Sequence, residues 1–302
     1  MIDAPGGAAA PTAPVSVIVC GYTLERWDAL IAGVRSLGVQ TVRPREVVFV
    51  VDHNPELLAR ARERLPPELP EVRVVASRGR PGLSGARNTG VAVSHGEIVA
   101  FLDDDAVAEP EWIECLVAPY REPTVMATGG LCVPDWEAGR PWWFPEEFDW
   151  VVGCSNPGLP EQTAEVRNPT GAAMSIRRSA LVRVGAFRED VGRVGVTPLG
   201  CEETELAIRI RQRITGALIL HVPSAIVRHT VPASRGRVRY FLRRCYAEGL
   251  SKAEVVRSVG GGDGLGTERT YVSSVLRSGI LAGLGRARRG DGRGIARAAM
   301  IV

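Results

Sequence analysis

Three short, almost unbroken apolar runs constrain this chain more than any other feature: residues 15–20 (VSVIVC), 46–51 (EVVFVV) and 97–102 (EIVAFL). Each is too short for a buried helix and is apolar at odd and even positions alike, which suits a strand covered on both faces. Between them lie helix-like stretches at 24–37, 56–64 and 84–94, with one further strand pattern at 72–76. Strands alternating with helices predict a parallel sheet with right-handed crossovers and helices on both sides. In such a sheet a ligand lies beyond the carboxyl ends of the strands. The residues at those ends are Gly21-Tyr22-Thr23, Asp52 and Asp103-Asp104-Asp105.

Beyond Pro110 the pattern loosens. It predicts a helix over 111–119, a strand over 124–132, an aromatic loop over 134–166 and a strand over 172–176. A helix over 202–214, strands near Leu218 and Ala225, and a helix over 235–258 follow, and a Gly-rich linker at 260–266 leads to a last helical segment. Residues 1–14, rich in Ala, Gly and Pro, are expected to be disordered, and no run approaches the ~18 apolar residues of a spanning helix. Six cysteines without a C-x-x-C pair are expected to be reduced thiols of a cytoplasmic protein.

A net charge of +3 conceals an asymmetry, because residues 228–302 hold fifteen Lys or Arg against five Asp or Glu, about +10 against about −7 for the rest. Such a segment fits contact with an anionic membrane surface, at the inner face of the cell membrane, as well as it fits a solvated helix face. No nucleic-acid partner is expected.

Three acids at the mouth of a buried strand repel one another. In extended backbone Asp103 and Asp105 point to the same side, an arrangement suited to a hard divalent cation, with an acidic turn capping the helix near Glu111 as the plainer alternative. The stretch Gly82-Leu83-Ser84-Gly85-Ala86-Arg87-Asn88-Thr89-Gly90 puts small residues at a helix start, where backbone N–H groups and Arg87 can approach phosphates. Glu202, Glu203 and Glu205 also open a helix, where acids are favoured by the dipole, and Glu205 is spaced to pair with Arg209. Arg235, Arg239, Arg243 and Arg244 form a guanidinium stripe, suited to a diphosphate, an anionic acceptor or solvent.

In this order, VSVIVCGYT, EVVFVVD, GLSGARNTG, GEIVAFLDDDA followed by EPEWI, and GCEETELAIRI resemble family 2 glycosyltransferases over about residues 15–250. The resemblance implies the α/β GT-A fold, Rossmann-like, with a mainly parallel central sheet flanked by helices. It implies a catalytic domain at 15–230, with a nucleotide half at 15–110 and an acceptor half at 111–230, and a basic C-terminal helical extension at 231–302. The implied reaction is an inverting transfer of a single sugar from a UDP-, dTDP- or GDP-linked donor to an acceptor hydroxyl, with Mg²⁺ or Mn²⁺ as cofactor. The acceptor would be a glycolipid, a glycan or a secondary metabolite.

By the same resemblance Tyr22, Thr23 and Asp52 surround the base, Arg87 and Asn88 lie beside base or ribose, and Asp103 and Asp104 approach the ribose. Asp105, with Asp103 and His229, would hold the metal. Glu203 stands where the family usually has an aspartate as general base; its arm is one methylene longer, which leaves Glu202 or Glu205 as alternatives. Trp142, Trp143, Thr170 and Gly171 are the acceptor-side candidates, although a core role for the aromatic loop is equally consistent with its composition. Two rivals remain at this point, a nucleotidyltransferase and a catalytically silent nucleotide-sugar-binding protein that has no need of Glu203. A dehydrogenase is excluded because no G-x-G-x-x-G follows the first strand.

Overall fold

The computed structural model describes residues 13–190, 200–260 and 266–302. The expected disordered start therefore lies, but for its last two residues, outside the described residues, as does most of the Gly-rich linker.

The three apolar runs and the pattern at 72–76 become β1 (Val15–Gly21), β2 (Glu46–Val51), β4 (Ile98–Asp103) and β3 (Val72–Ala76), paired in parallel in the order β3-β2-β1-β4. β1, β2 and β4 are buried on both faces, as the unbroken apolar pattern requires, whereas β3 at the edge buries only Val72 fully. On one face Val17, Val19, Phe49 and Leu102 meet Leu30, Val34 and Leu37 of α1 (Trp27–Gly38) and Leu57 and Leu65 of α2 (Pro55–Glu68). On the other face Ile18, Val48 and Phe101 meet Ala86 of α3 (Leu83–Val93) and, from later in the chain, Leu206 and Ile210.

The second half departs from the expected parallel pattern. β8 (Ala173–Arg177) lies antiparallel to both β4 and β6 (Val125–Trp136), because the chain enters it beside the carboxyl end of β4, where Leu102 pairs with Ala173. That entry places Thr170 and Gly171 next to the aspartate run. A short β5 (Ala106–Ala108), absent from the sequence reading, pairs antiparallel with β9 (Leu218–Val231), and β7 (Ala164–Glu165) adds to β9. The sheet is thus mixed, in the order β3-β2-β1-β4-β8-β6-β9-β5. The two strands expected near Leu218 and Ala225 are one, interrupted by a shift of register against β6 between Gly130 and Leu131. Pro223, which has no N–H to give a ladder, sits in that bulge.

Helices α4 (Trp112–Val117), α5 (Arg178–Val184) and α6 (Glu202–Arg213) cover this half. α7 (Val238–Val259) then crosses back and buries Phe241 in the main core. α8 (Gly266–Thr270) runs through a π-type turn at Tyr271–Leu276 into α9 (Arg277–Arg288), which folds against α10 (Arg293–Ile301) where Gly283 and Gly294 let the backbones approach. Among the described residues no helix is long and apolar enough to cross a membrane.

Candidate active site

Asp103 ends β4, and the chain turns through Asp104 and Asp105 into β5. Pairing of β5 with β9 sets Ala106 opposite His229, and the Thr230 N–H donates to the Asp105 carbonyl at 2.8 Å. One ligand atom each from Asp103, Asp105 and His229 thereby lies within 4.8 Å of the others. Donors on opposite sides of one hard cation are about 4.2 Å apart at bond lengths of ~2.1 Å, so this trio fits an ion after a small closure.

Positive charge already surrounds the run. Arg26 Nη1 lies 2.8 Å from Asp104 Oδ1 and 3.0 Å from Asp105 Oδ2, His229 Nε2 2.9 Å from Asp105 Oδ1, and Arg235 Nη2 3.2 Å from Asp105 Oδ2. Burial raises the Asp105 carboxyl, but His229, Arg26 and Arg235 together outweigh it and hold the group well below the carboxylate range. Asp104 is pushed up to about 6 by burial and by the Asp105 charge, with Arg26 opposing. Burial would lower His229, yet contact with Asp105 carries it up to about 10. A donor set of two carboxylates and one imidazole, balanced by cations, is chemistry that a divalent ion satisfies.

At the ends of β1 and β2, Asp52 Oδ2 accepts from the Gly82 N–H at 2.8 Å and its Oδ1 meets His53 Nδ1 at 2.7 Å. Gly82 has φ 127°, which only glycine adopts freely, and this conformation turns its N–H onto Asp52. Asn54 Nδ2 donates to the Tyr22 carbonyl at 3.0 Å, and Thr23 Oγ1 accepts from the Glu25 N–H at 3.2 Å. Tyr22, Thr23, Asp52 and the aspartate run are thus gathered at one edge of the sheet. Asn88 lies apart from them in its bonding, since its amide bonds Phe187 O at 2.9 Å and its carbonyl the Phe187 N–H at 2.9 Å.

Arg87 plays a part that its motif did not reveal. It is 2% exposed, packed against Phe101 and Phe187, and donates to Glu202 Oε1 at 2.9 Å, the Gly171 carbonyl at 3.2 Å and Asp103 Oδ1 at 3.4 Å. One buried guanidinium therefore ties the end of β4, the entry to β8 and the start of α6 together. Glu202 is committed to that bridge. Glu205 takes Arg209 in a two-bond pair at 2.9 and 2.7 Å, as its spacing suggested. Glu203 makes no ion pair among the described residues. It faces Gly171, where an added Cβ would sit 3.5 Å from its Cγ, and burial with the neighbouring Glu202 charge pushes it up to about 7.

Asp103, Arg87, Thr170, Gly171, Glu202 and Glu203 open onto a cleft of about 1200 Å³ whose far wall is α7 and the segment 266–275. Trp150 and Tyr271 supply its aromatic surface, joined by a 3.0 Å bond from Trp150 Nε1 to the Tyr271 hydroxyl. Trp142 and Trp143 do not line it. Trp142 is 56% exposed, and Trp143 is half-buried against the core on Phe144 and Phe241, because α7 arrives over this loop. The arginine stripe is likewise divided: Arg235 is buried on Asp105, Arg244 faces the cleft beside Glu248, and Arg239 and Arg243 are exposed. Trp150 belongs to the aromatic loop noted in the sequence, whereas Arg26 and Tyr271 were not among the sequence candidates. Arg26 follows Tyr22 by one helical turn, a faint signal, whereas Tyr271 had none, lying in a segment with no recognisable motif.

Residues 16–189 match the glycosyl transferase family 2 pattern. The glucosyl-dolichyl phosphate glucuronosyltransferase of Haloferax volcanii is 37% identical over 239 residues, covering 79% of this chain and 76% of the relative. Among solved structures, the mannosyltransferase PcManGT of Pyrobaculum calidifontis, in complex with GDP-Man and Mn²⁺, superposes with TM-score 0.62 at 19% identity, over 96% of this chain and 85% of its own. GalNAc-T7 with UDP, GalNAc and Mn²⁺ gives TM-score 0.54 at 20% identity over 73% of this chain, which spans 43% of that protein. The shared fold is the GT-A fold, and the nucleotidyltransferase alternative falls away. On the match across more than half its length, the chain belongs to glycosyl transferase family 2 and is a glycosyltransferase.

Proposed function

We propose that the chain transfers one sugar, with inversion, from a nucleotide-diphosphate donor to a hydroxyl of a lipid-phosphate-linked saccharide. The observation that carries this reading is the Arg87 bridge, which fixes Asp103 and the Glu202–Glu203 pair around a single opening. The donor would lie over Tyr22, Thr23 and Asp52, with its diphosphate toward Asp103 and Asp105. Those two residues with His229 would hold Mg²⁺ or Mn²⁺, which when bound neutralises charge on the departing diphosphate. Glu203 accepts the proton of the acceptor hydroxyl while that oxygen bonds to the anomeric carbon. The bond from that carbon to the phosphate oxygen breaks on the opposite side, and the electron pair leaves with the nucleoside diphosphate. A base near pKa 7 is well matched to this task at neutral pH. Gly171 leaves room beside Glu203, and Trp150 offers a face for the acceptor sugar. The lipid-linked acceptor follows the printed activity of the Haloferax relative, and the basic segment 228–302 accords with an anionic lipid surface.

Thermal unfolding with UDP, GDP or dTDP, each with and without Mn²⁺, tests the donor half. The matching pair is expected to stabilise the protein by about 2.7 kcal/mol at a concentration 100 times its Kd, and no stabilisation by any pair would refute the reading.

A further inference from the structure

On the outer face of α7, Val238, Leu242, Tyr246 and Leu250 recur at every fourth position and are 43%, 58%, 73% and 50% exposed. At that spacing four residues make one slowly drifting stripe along a helix. Nothing among the described residues covers it. Arg239 and Arg243 fall within the same exposed face, without a carboxylate in ion-pair distance among the described residues. The rest of the helix is committed to the protein: Phe241, Ala247, Ser251 and Val255 are buried, and Arg244, Glu248 and Lys252 line the cleft. One helix therefore carries the cleft wall on one side and an uncovered apolar stripe on another.

We propose that this stripe lays α7 flat on an anionic bilayer surface. Its apolar side chains enter the boundary between headgroups and acyl chains, and Arg239 and Arg243 meet lipid phosphates. The cleft then opens at the lipid boundary, where a lipid-linked acceptor presents its sugar; this last step rests on the acceptor reading above. Charge selects the occupant. A second copy would bring these arginines against their own kind, whereas anionic lipid complements them and the surrounding excess of about +10 over residues 228–302. The last two helices repeat the composition, with Leu281, Leu284 and Ile295 exposed beside Arg286, Arg288 and Arg293.

The test is co-sedimentation of the full chain with vesicles of phosphatidylcholine alone or with about one third phosphatidylglycerol. The protein is expected to bind the anionic vesicles, less so as salt rises. Leu242→Glu combined with Tyr246→Glu is expected to lower the partition coefficient at least about 10-fold with an unchanged Tm, and Arg239→Gln with Arg243→Gln to remove the preference for anionic lipid. The proposal is overturned by a wild-type protein that stays in the supernatant, or by equal partitioning of the Leu242/Tyr246 variant. It is also overturned by a vesicle-free dimer that this variant makes monomeric, which would assign the stripe to a second copy. Partitioning is read without turnover, so it stands or falls independently of the proposed transfer.

Discussion

Asp105 and Glu203 are both carboxylates of the candidate site, yet three cationic side chains lie within 3.2 Å of the first, while the second makes no ion pair among the described residues. Burial acts on both in the same direction. Around Asp105 it is overcome by Arg26, His229 and Arg235, and the group stays charged; at Glu203 it is reinforced by Glu202, and the group rises to about 7. The lesson is chemical. A permanently ionised group can hold a cation but is a poor proton acceptor, whereas a group that titrates near neutrality exchanges protons readily.

The largest expected effect comes from breaking the charged end. Asp105→Asn leaves the half-buried Arg26 and the buried Arg235 without their shared counter-charge and removes the contact that keeps His229 protonated, and stability should fall by about 3–5 kcal/mol in denaturant titration, as when one partner of a buried ion pair is removed. Turnover should be lost with it. An unchanged denaturation midpoint would show that the cations are not held by Asp105.

Next comes the titrating end. Glu203→Gln should lower kcat about 10²–10⁴-fold with the nucleotide Kd unchanged, and full activity would move the base role elsewhere. In the wild type, kcat should rise about tenfold per pH unit below about 7 and level off above it if Glu203 acts as the proposed base, which works in its deprotonated form. The linkage sign is opposite for stability. A carboxyl whose pKa is raised in the folded state favours folding while protonated, and that contribution is lost as pH climbs from its unfolded range through about 7. Glu203→Gln should therefore be more stable than wild type at pH 8, by about 1 kcal/mol after allowance for partial solvation, and the two should converge in acid.

Arg87→Lys tests the link between the ends. A single ammonium cannot hold Glu202, Gly171 and Asp103 in the planar fork of a guanidinium, so kcat should fall about 10-fold or more through misplacement of Glu203. The smallest contrast separates the tryptophans. Trp142→Ala should change stability by no more than about 0.5 kcal/mol and leave acceptor KM alone, whereas Trp150→Phe should cost about 1 kcal/mol through the lost bond to Tyr271 and raise acceptor KM.

Sequence alone carried the first half of the molecule a long way. Runs such as VSVIVC and EIVAFL have to be covered on both faces, and that requirement brings their carboxyl ends, with Tyr22, Asp52 and the aspartate run, to one edge. The family resemblance also implied the Asp103, Asp105 and His229 trio, whose ligand atoms lie within 4.8 Å of one another once β5 pairs with β9. The division of labour among the acids of α6 was only half legible. Spacing gave the Glu205–Arg209 pair, since neighbours within one helix are fixed by its pitch, but the commitment of Glu202 to Arg87 spans 115 residues of sequence. Arg26 and Arg235 on the aspartates, the reversal at β8 and the closing of the cleft by α7 and Tyr271 belong to the tertiary structure for the same reason. Local pattern states which side chains must be buried or exposed; which of them then meet depends on where the chain returns, and that is decided by packing of the whole.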